Sequence, residues 1–235
     1  MISFIPYASS SAGNVYTVSD GITTIMLECG LPWKKVREML NFRTSEIAGI
    51  LVTHSHLDHS RGIKDAAKAG MDVYATKETF EALNLTGHRF IEIEANRQLQ
   101  IGTWDILPFL TVHDCIGSVG YLMQNGEGEN FLFLTDSLYS PVKFPPLSVI
   151  AVECNNEAGI LSDNIGRGNI NASLGRRIRH SHASLETVKK FLLANDLTQC
   201  RQIWLIHLSD QNSDEQRMKI EIQEITGVPV YVAES

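Results

Sequence analysis

Three histidines and an aspartate lie within six residues of one another, in a segment that reads Thr-His-Ser-His-Leu-Asp-His. They are His54, His56, Asp58 and His59. Imidazole nitrogens and carboxylate oxygens are ligands that borderline divalent metals such as zinc prefer. In extended geometry His54 and His56 face the same way and can share one ion, while the later pair lies past the bend and can reach a second. The spacing therefore predicts a site for a pair of metal ions.

The elements that must position this segment are strands. Residues 47–52 form an apolar run rich in β-branched side chains, which predicts a buried strand that ends where the histidine segment begins. Other candidate ligands also follow predicted strands: His113 follows residues 104–110, Asp136 follows residues 131–134, and His207 follows residues 201–206. A lone histidine at a strand end is more often a surface hydrogen-bonding residue, so these later candidates depend on the dense motif.

The His-x-His-x-Asp-His pattern at a strand end resembles the signature of the metallo-β-lactamase-fold hydrolases. Within that fold the chain resembles the YycJ/WalJ group of bacterial nucleases and similar phage-encoded proteins. The segments that carry this resemblance span nearly the whole chain: residues 9–14, Glu28-Cys29-Gly30, the histidine segment, His113-Asp114, Thr135-Asp136, Glu153-Cys154-Asn155, Arg177-Ile178, Ser181-His182-Ala183-Ser184, and His207-Leu208-Ser209 with Asn212.

The resemblance implies a mixed α/β (α+β) fold, a four-layer αββα sandwich, and we expect one domain over residues 1–235. It also implies a ligand set in which His54, His56 and His113 hold one metal, Asp58, His59 and His207 hold a second, and Asp136 bridges both. Glu28 stands where the fold usually has an aspartate that supports the site from behind its ligands.

The resemblance implies nuclease activity, with 5′-to-3′ exonuclease action on DNA as the leading expectation. Two metals about 3.5–4 Å apart can activate a bridging water and offset charge during in-line displacement at phosphorus. Such a ligand set favours zinc or manganese over magnesium. We expect Asp58 to orient the attacking water as well as to bind metal. His182 is the candidate general acid or phosphate donor for the leaving 3′ oxygen.

The charge distribution bears on the substrate. The net charge of −7 argues against bulk attraction to nucleic acid, because phosphate binding normally depends on clustered lysine and arginine. Residues 164–185, however, lack Asp and Glu and are rich in arginine. We expect this segment to grip phosphates through forked guanidinium contacts, although it also suits a solvated face. The predicted substrate-binding residues are Asn155, Arg167, Arg176, Arg177 and Arg179.

Composition bounds the class of protein. The chain has 235 residues and is 43% apolar, and its four cysteines are too scattered for a disulfide framework or a structural zinc site. Residues 1–17 lack a secretion signal and no run of eighteen apolar residues occurs, so we expect a cytoplasmic protein without a membrane partner, and a secreted β-lactamase is disfavoured.

Local patterns predict further elements. They include a turn-rich loop at residues 9–14, a hairpin about Asp20-Gly21, a helix over residues 31–42, a Ser184-capped helix to Asn195, and a helix that begins at Ser209 or Asp210 and ends at Ile225.

Two other functions remain open at this point. The same fold could hydrolyse a small thioester, lactone or cyclic phosphodiester, although such substrates do not need four arginines. A non-catalytic binding module would be expected to have broken ligand sets, and all seven positions here are intact. By analogy alone, a nuclease of this kind could work with a recombination protein.

Overall fold

The structure is a computed structural model that describes residues 1–140 and 142–233. The chain is a mixed α/β protein with two β-sheets and flanking helices, so the predicted fold class is confirmed. It divides into two compact units: unit 1 contains Met1–Leu110 and Cys115–Glu129, and unit 2 contains Thr111–Asp114 and Asn130–Ala233. The single domain over 1–235 stays a prediction. Among the described residues, no helix has the length and apolar character needed to cross a membrane.

Unit 1 is built on a six-stranded sheet with its strands in sequence order. The first three strands are antiparallel neighbours, and the third to sixth pair in parallel. The six are β1 (Ser3–Ser10), β2 (Gly13–Ser19), β3 (Thr24–Leu27), β4 (Ile47–Leu51), β5 (Val73–Thr76) and β6 (Phe90–Ile93). An antiparallel meander follows in the same unit: β7 (Leu99–Ile101), β8 (Trp104–Leu110) and β9 (Val119–Gln124).

The helices of unit 1 are short and pack on this framework. They are α1 (Trp33–Met39), α2 (Leu57–Ser60), α3 (Ile63–Lys68) and α4 (Lys77–Ala82), with a 3₁₀ turn at Thr44–Glu46. Val36 of α1 and Ile63 and Ala66 of α3 share one apolar cluster with Ile50 and Val52, which flank the end of β4. Burial of this apolar surface fixes the end of β4, where the histidine segment begins.

Unit 2 contains four parallel strands in the order β10 (Asn130–Leu134), β11 (Val149–Glu153), β12 (Gln202–Ile206) and β13 (Val230–Val232). Every residue of β10 and β11 is buried, as expected for parallel strands covered on both faces. Its helices are α5 (Ala158–Gly166), α6 (Ala172–Ser181), α7 (Leu185–Leu193) and α8 (Glu215–Thr226). The carboxyl ends of these strands carry the polar groups described below.

The structure changes several predicted boundaries. The predicted loop at residues 9–14 is mostly strand, because β1 and β2 pair up to Ser10 and Gly13. Helix α1 ends at Met39 rather than residue 42, since Asn41 and Phe42 adopt positive φ angles of 49° and 60°. Helix α8 begins at Glu215, because Asp214 accepts a hydrogen bond from the Arg217 amide and so caps the helix later than predicted.

Helices α5 and α6 were not predicted from the sequence pattern. Leu161 is the buried residue of α5, and α6 buries only Gly175 and Ser181 among its described residues. The apolar residues of these helices do keep helical spacing, as at Leu161 and Ile165 of α5 and Leu174 and Ile178 of α6, but each pattern spans only a few residues and gives a short signal. Asn171 provides the local signal instead, because its side chain accepts the Leu174 amide at the start of α6.

Candidate metal centre

The histidine segment of unit 1 is one bend followed by one helical turn. His54 and His56 lie before α2, and His54 Nε2 is 3.0 Å from His56 Nδ1. Asp58 and His59 lie on α2, where Asp58 Oδ2 is 3.3 Å from His59 Nε2. The rings of His54 and His59 are 4.3 Å apart between centroids. All four predicted ligands of this unit therefore converge.

Hydrogen bonds to its main-chain carbonyls hold the histidine segment in place. Asn14 Nδ2 donates to the Asp58 carbonyl over 3.1 Å, and the Cys29 amide donates to the His59 carbonyl over 2.8 Å. At Gly30, a side-chain Cβ would lie 1.7 Å from the Asp58 carbonyl oxygen, so any larger residue displaces α2. The glycine of the Glu28-Cys29-Gly30 segment is thus required by close packing against the metal-binding turn.

Glu28 is buried beneath this turn. Both of its carboxylate oxygens lie 3.3 Å from the Thr53 amide, which donates to them, and Oε1 lies 3.6 Å from His59 Nδ1. Burial raises the pKa of Glu28 above its ordinary range, and the nearby His59 offsets only part of this effect. Glu28 therefore reaches the histidine segment from behind, as its predicted supporting role requires.

Unit 2 assembles a second cluster from four separate strand or helix ends. Asp136 follows β10, Glu153 ends β11, His207 follows β12, and His182 lies between α6 and α7. Each offers a ligand atom, and these atoms all lie within 4.8 Å of one another. His113, in the same unit, has Nε2 3.6 Å from Asp136 Oδ2, and its Nδ1 is 3.0 Å from the Ser181 carbonyl. The unit thus brings His113, Asp136, His182 and His207 together.

Glu153 is the centre of this cluster, and no role was predicted for it from the sequence. Its Oε1 accepts hydrogen bonds from His182 Nδ1 at 2.6 Å and from His207 Nδ1 at 3.1 Å. Its Oε2 accepts the amides of Ser137 and Ala183. The sequence did contain a signal for Glu153: it is a carboxylate at the end of a strand that is otherwise wholly apolar. A buried charge needs partners, so such a residue is a candidate site residue.

The charges of Glu153 and His182 stabilise each other. Burial alone raises the pKa of Glu153, but the charge of His182 and the hydrogen bonds from His182 and His207 outweigh burial and lower it. Burial alone lowers the pKa of His182, but the Glu153 carboxylate outweighs burial and raises it. The pair is therefore an ionised carboxylate beside an imidazole that retains its proton more readily than usual.

Three site residues have a strained backbone. Glu28, Asp136 and His207 adopt positive φ angles of 63°, 46° and 53°. This region costs a residue with a side chain about 1–2 kcal/mol, so it persists only where the surroundings enforce it. At His207 one contact that holds the backbone is with Asn155, whose Nδ2 donates to the His207 carbonyl over 3.1 Å. The strain falls at strand ends that carry the site, not in ordinary turns alone.

The predicted substrate-binding residues have mixed surroundings. Asn155 is buried and bonded to His207, so a contact of its side chain with substrate stays a prediction. Arg167 caps the end of α5 and Arg176 lies on α6, and both are exposed. Arg177 Nε donates to Asp114 Oδ2 over 2.7 Å, and Arg179 Nη2 donates to Ser162 Oγ over 2.9 Å. These four arginines lie on or next to the two helices that the sequence pattern missed.

The donors in each unit fit divalent metal ions. Unit 1 offers three imidazoles and a carboxylate, and unit 2 offers imidazoles and carboxylates that are buried or nearly so. Burying so many ionisable groups at close range is unfavourable unless they bind a cation or one another. The clusters therefore indicate divalent metal binding.

Comparison with known proteins identifies the family. A family model described as the beta-lactamase superfamily domain matches residues 23–208. The chain belongs to this family. With its clustered imidazoles and carboxylates, it is a metal-dependent hydrolase of the metallo-β-lactamase fold, and the predicted resemblance is confirmed.

Individual relatives agree with this assignment. The chain is 26% identical over 223 residues to the exodeoxyribonuclease WalJ of Streptococcus pneumoniae. The aligned region covers 88% of this chain and 81% of the relative. It is 22% identical over 240 residues to the exodeoxyribonuclease YycJ of Bacillus anthracis, covering 94% and 88%. Among solved structures, the metallo-β-lactamase-fold protein YhfI of Bacillus subtilis superposes with a TM-score of 0.76 at 16% identity, covering 100% of this chain and 97% of that one.

Proposed function

We propose that the protein is a nuclease that hydrolyses phosphodiester bonds of DNA, removing nucleotides from the 5′ end. The observation that carries the proposal is the pairing of Glu153 with His182 beside Asp136, a predicted metal ligand, since it would supply a proton donor next to the predicted metal site. The names of the WalJ and YycJ relatives support DNA as the substrate.

The residues that would hold two divalent ions are the predicted sets: His54, His56 and His113 for one, Asp58, His59 and His207 for the other, and Asp136 for both. Zinc or manganese suits these ligands better than magnesium. When bound, such ions supply charge stabilisation of the phosphate and an acidified water. Asp58 would orient that water for in-line attack.

His182 would protonate the leaving 3′ oxygen. Glu153 holds the Nδ1 side of the imidazole at 2.6 Å, so the ring is oriented and Nε2 would carry the proton to be transferred. The ionised Glu153 stabilises the protonated ring, which keeps the donor charged closer to neutral pH. Glu153 acts through His182 and is therefore a positioning residue.

Flanking phosphates would bind the exposed guanidinium groups of the α5–α6 region. Arg167, Arg176, Arg177 and Arg179 lie in a segment without acidic residues, within a chain whose net charge is −7. A polyanion benefits from such a local cationic surface, whereas a small neutral ester does not. Asn155 stays a predicted substrate contact.

The test is to incubate linear DNA, labelled at the 5′ or the 3′ end and either single-stranded or duplex, with the protein and zinc, manganese or magnesium. We expect mononucleotides to appear first from the 5′ label. The His56→Ala variant should lose activity by about 10³-fold or more. His88→Ala, which changes an exposed histidine of the same unit, should retain it. Inert nucleic acids alongside rapid thioester or lactone hydrolysis would replace the proposal with a small-molecule hydrolase.

A further inference from the structure

Two large apolar side chains protrude from segments that contact each other in unit 1. Leu57, between His56 and Asp58 on α2, is 59% exposed, and Ile116 is 83% exposed. Isolated exposed apolar residues are common and need no explanation. These two differ because one lies inside the predicted metal-binding turn and the other lies on a segment bonded to that turn.

The segment that carries Ile116 is anchored on both sides. Cys115 Sγ lies 3.0 Å from Ser55 Oγ, and the Val119 amide donates to the Thr53 carbonyl over 3.1 Å. Both contacts join this segment to the histidine segment. Ile116 is therefore held in solvent by its neighbours rather than exposed by fraying of a loose loop.

Gly117 adds a third anchor. Its carbonyl accepts a hydrogen bond from Thr76 Oγ1 over 2.8 Å. A Cβ at Gly117 would lie 2.7 Å from the Glu78 Cβ and 2.9 Å from Thr76 Oγ1, and its φ angle is +76°. The backbone thus approaches the start of α4 closely at a position suited to glycine, and this fixes the direction of the turn that exposes Ile116.

We propose that Ile116, together with Leu57, forms an apolar wedge that packs against the terminal base pair of a duplex substrate and unstacks it. This inference rests on the proposed nuclease function and specifies how a paired end would be opened. Isoleucine and leucine are among the side chains that proteins insert between base steps, and unstacking one step costs a few kcal/mol that such contacts offset. A base presents an apolar face to Ile116 whatever its identity, so the wedge requires no particular sequence.

The matched control is Ile22, an isoleucine of the same unit that is 82% exposed in the turn between β2 and β3. Ile22 lies before β3, whereas Glu28, which accepts the Thr53 amide, lies after it. Ile22 is therefore at the opposite end of this strand from the residue that contacts the histidine segment. Ile22→Ser removes the same apolar surface as Ile116→Ser, but away from the histidine segment.

The experiment uses a blunt duplex with 2-aminopurine at the 5′ terminus and a phosphorothioate at the first linkage to slow cleavage. At saturating protein, confirmed by anisotropy, we expect wild type and Ile22→Ser to raise the 2-aminopurine emission and Ile116→Ser to leave it low. With ordinary phosphodiesters, Ile116→Ser should lower kcat/KM on the duplex by about tenfold and on the matching single strand by less than about twofold.

Each result separates the wedge from the reaction. Emission that rises equally with Ile116→Ser, or an equal loss on duplex and single strand, overturns the wedge. If the wild-type protein does not raise the 2-aminopurine emission, the proposed wedge is overturned as well, even if DNA is cleaved. Emission that depends on Ile116 while no DNA is cleaved with any metal supports the wedge and overturns the proposed reaction instead.

Discussion

Each unit supports its imidazole cluster on a buried glutamate at a strand end, and the two glutamates have opposite pKa shifts. Burial raises the pKa of Glu28, and the contacts from His59 and Thr53 do not compensate. Burial acts on Glu153 in the same sense, but the His182 charge and the hydrogen bonds from two imidazoles lower its pKa. The comparison shows that donors, rather than depth of burial, decide the direction in which the pKa of a buried carboxyl group shifts.

The largest expected effect of this difference is on catalysis. Glu153→Gln keeps the shape of the side chain but removes the charge that stabilises protonated His182. We expect kcat on DNA to fall by about 10²–10³-fold, as for loss of general acid catalysis, with KM little changed. Glu157→Gln, a change at the next buried glutamate of unit 2, tests whether any buried charge matters equally. A similar loss of kcat in both variants would contradict a specific role for Glu153.

The next effect concerns the stability of the metal-free protein in chelator. The lowered pKa of Glu153 means that its charge stabilises the fold above about its ordinary value of 4.5, and that this contribution is lost as the pH falls through the lowered pKa. The raised pKa of His182 means that its charge stabilises the fold below 6.5, and that this contribution is lost as the pH rises through the raised pKa.

The two contributions overlap between about pH 4.5 and 6.5. We therefore expect Glu153→Gln to lower the free energy of unfolding by about 2 kcal/mol in that window and by less on either side. Urea titrations in chelator at several pH values measure this difference. A difference that does not vary with pH would show that the two groups are not ionised as a pair.

Glu28→Gln should have a smaller and different effect. The amide can still accept from the Thr53 backbone but places an amide group instead of a carboxyl group against His59, so we expect metal affinity to fall about tenfold. Competition with a chelating dye measures this affinity, and Glu38→Gln, an exposed change on α1, serves as the control. At saturating metal, an equal loss of kcat in Glu28→Gln and Glu153→Gln would contradict the assignment of different roles to the two glutamates.

The smallest expected effect concerns Ser184, the residue that caps α7 shortly after His182. Ser184 accepts the Thr187 amide and caps α7, so Ser184→Ala should lower the free energy of unfolding by about 1 kcal/mol. Because the cap touches neither glutamate, metal affinity should stay unchanged. A loss of metal affinity with little loss of stability would show that the start of α7 positions the cluster directly.

The two clusters also differ in how far the sequence predicted them. The ligands of unit 1 are contiguous, so their residue types and spacing were visible together in one segment. The ligands of unit 2 come from residues more than ninety positions apart, and His113 and His207 were named only because the first motif and the resemblance led to them. Glu153 was overlooked because its partners are distant in sequence, and the pairing exists only after β11 and β12 align.

The strands were predicted well because buried strands leave a clear apolar pattern, and the cap at Ser184 was confirmed. Helices α5 and α6 bury few side chains, and their few apolar residues, such as Leu174 and Ile178 of α6, give only a short helical pattern. The positive φ angles at Glu28, Asp136 and His207 could not be predicted either, since the residue types give no sign of them and only the packed structure imposes them.

Those left-handed backbones have a consequence for ion uptake. A carboxylate or imidazole whose main chain is held in an unfavourable region is already oriented before an ion binds. The entropy cost of ordering it therefore falls on folding of the chain and not on binding of the ion. We therefore expect divalent ions to be taken up without a slow rearrangement, and selection among ions to depend on ligand chemistry rather than on how readily the chain adapts its shape.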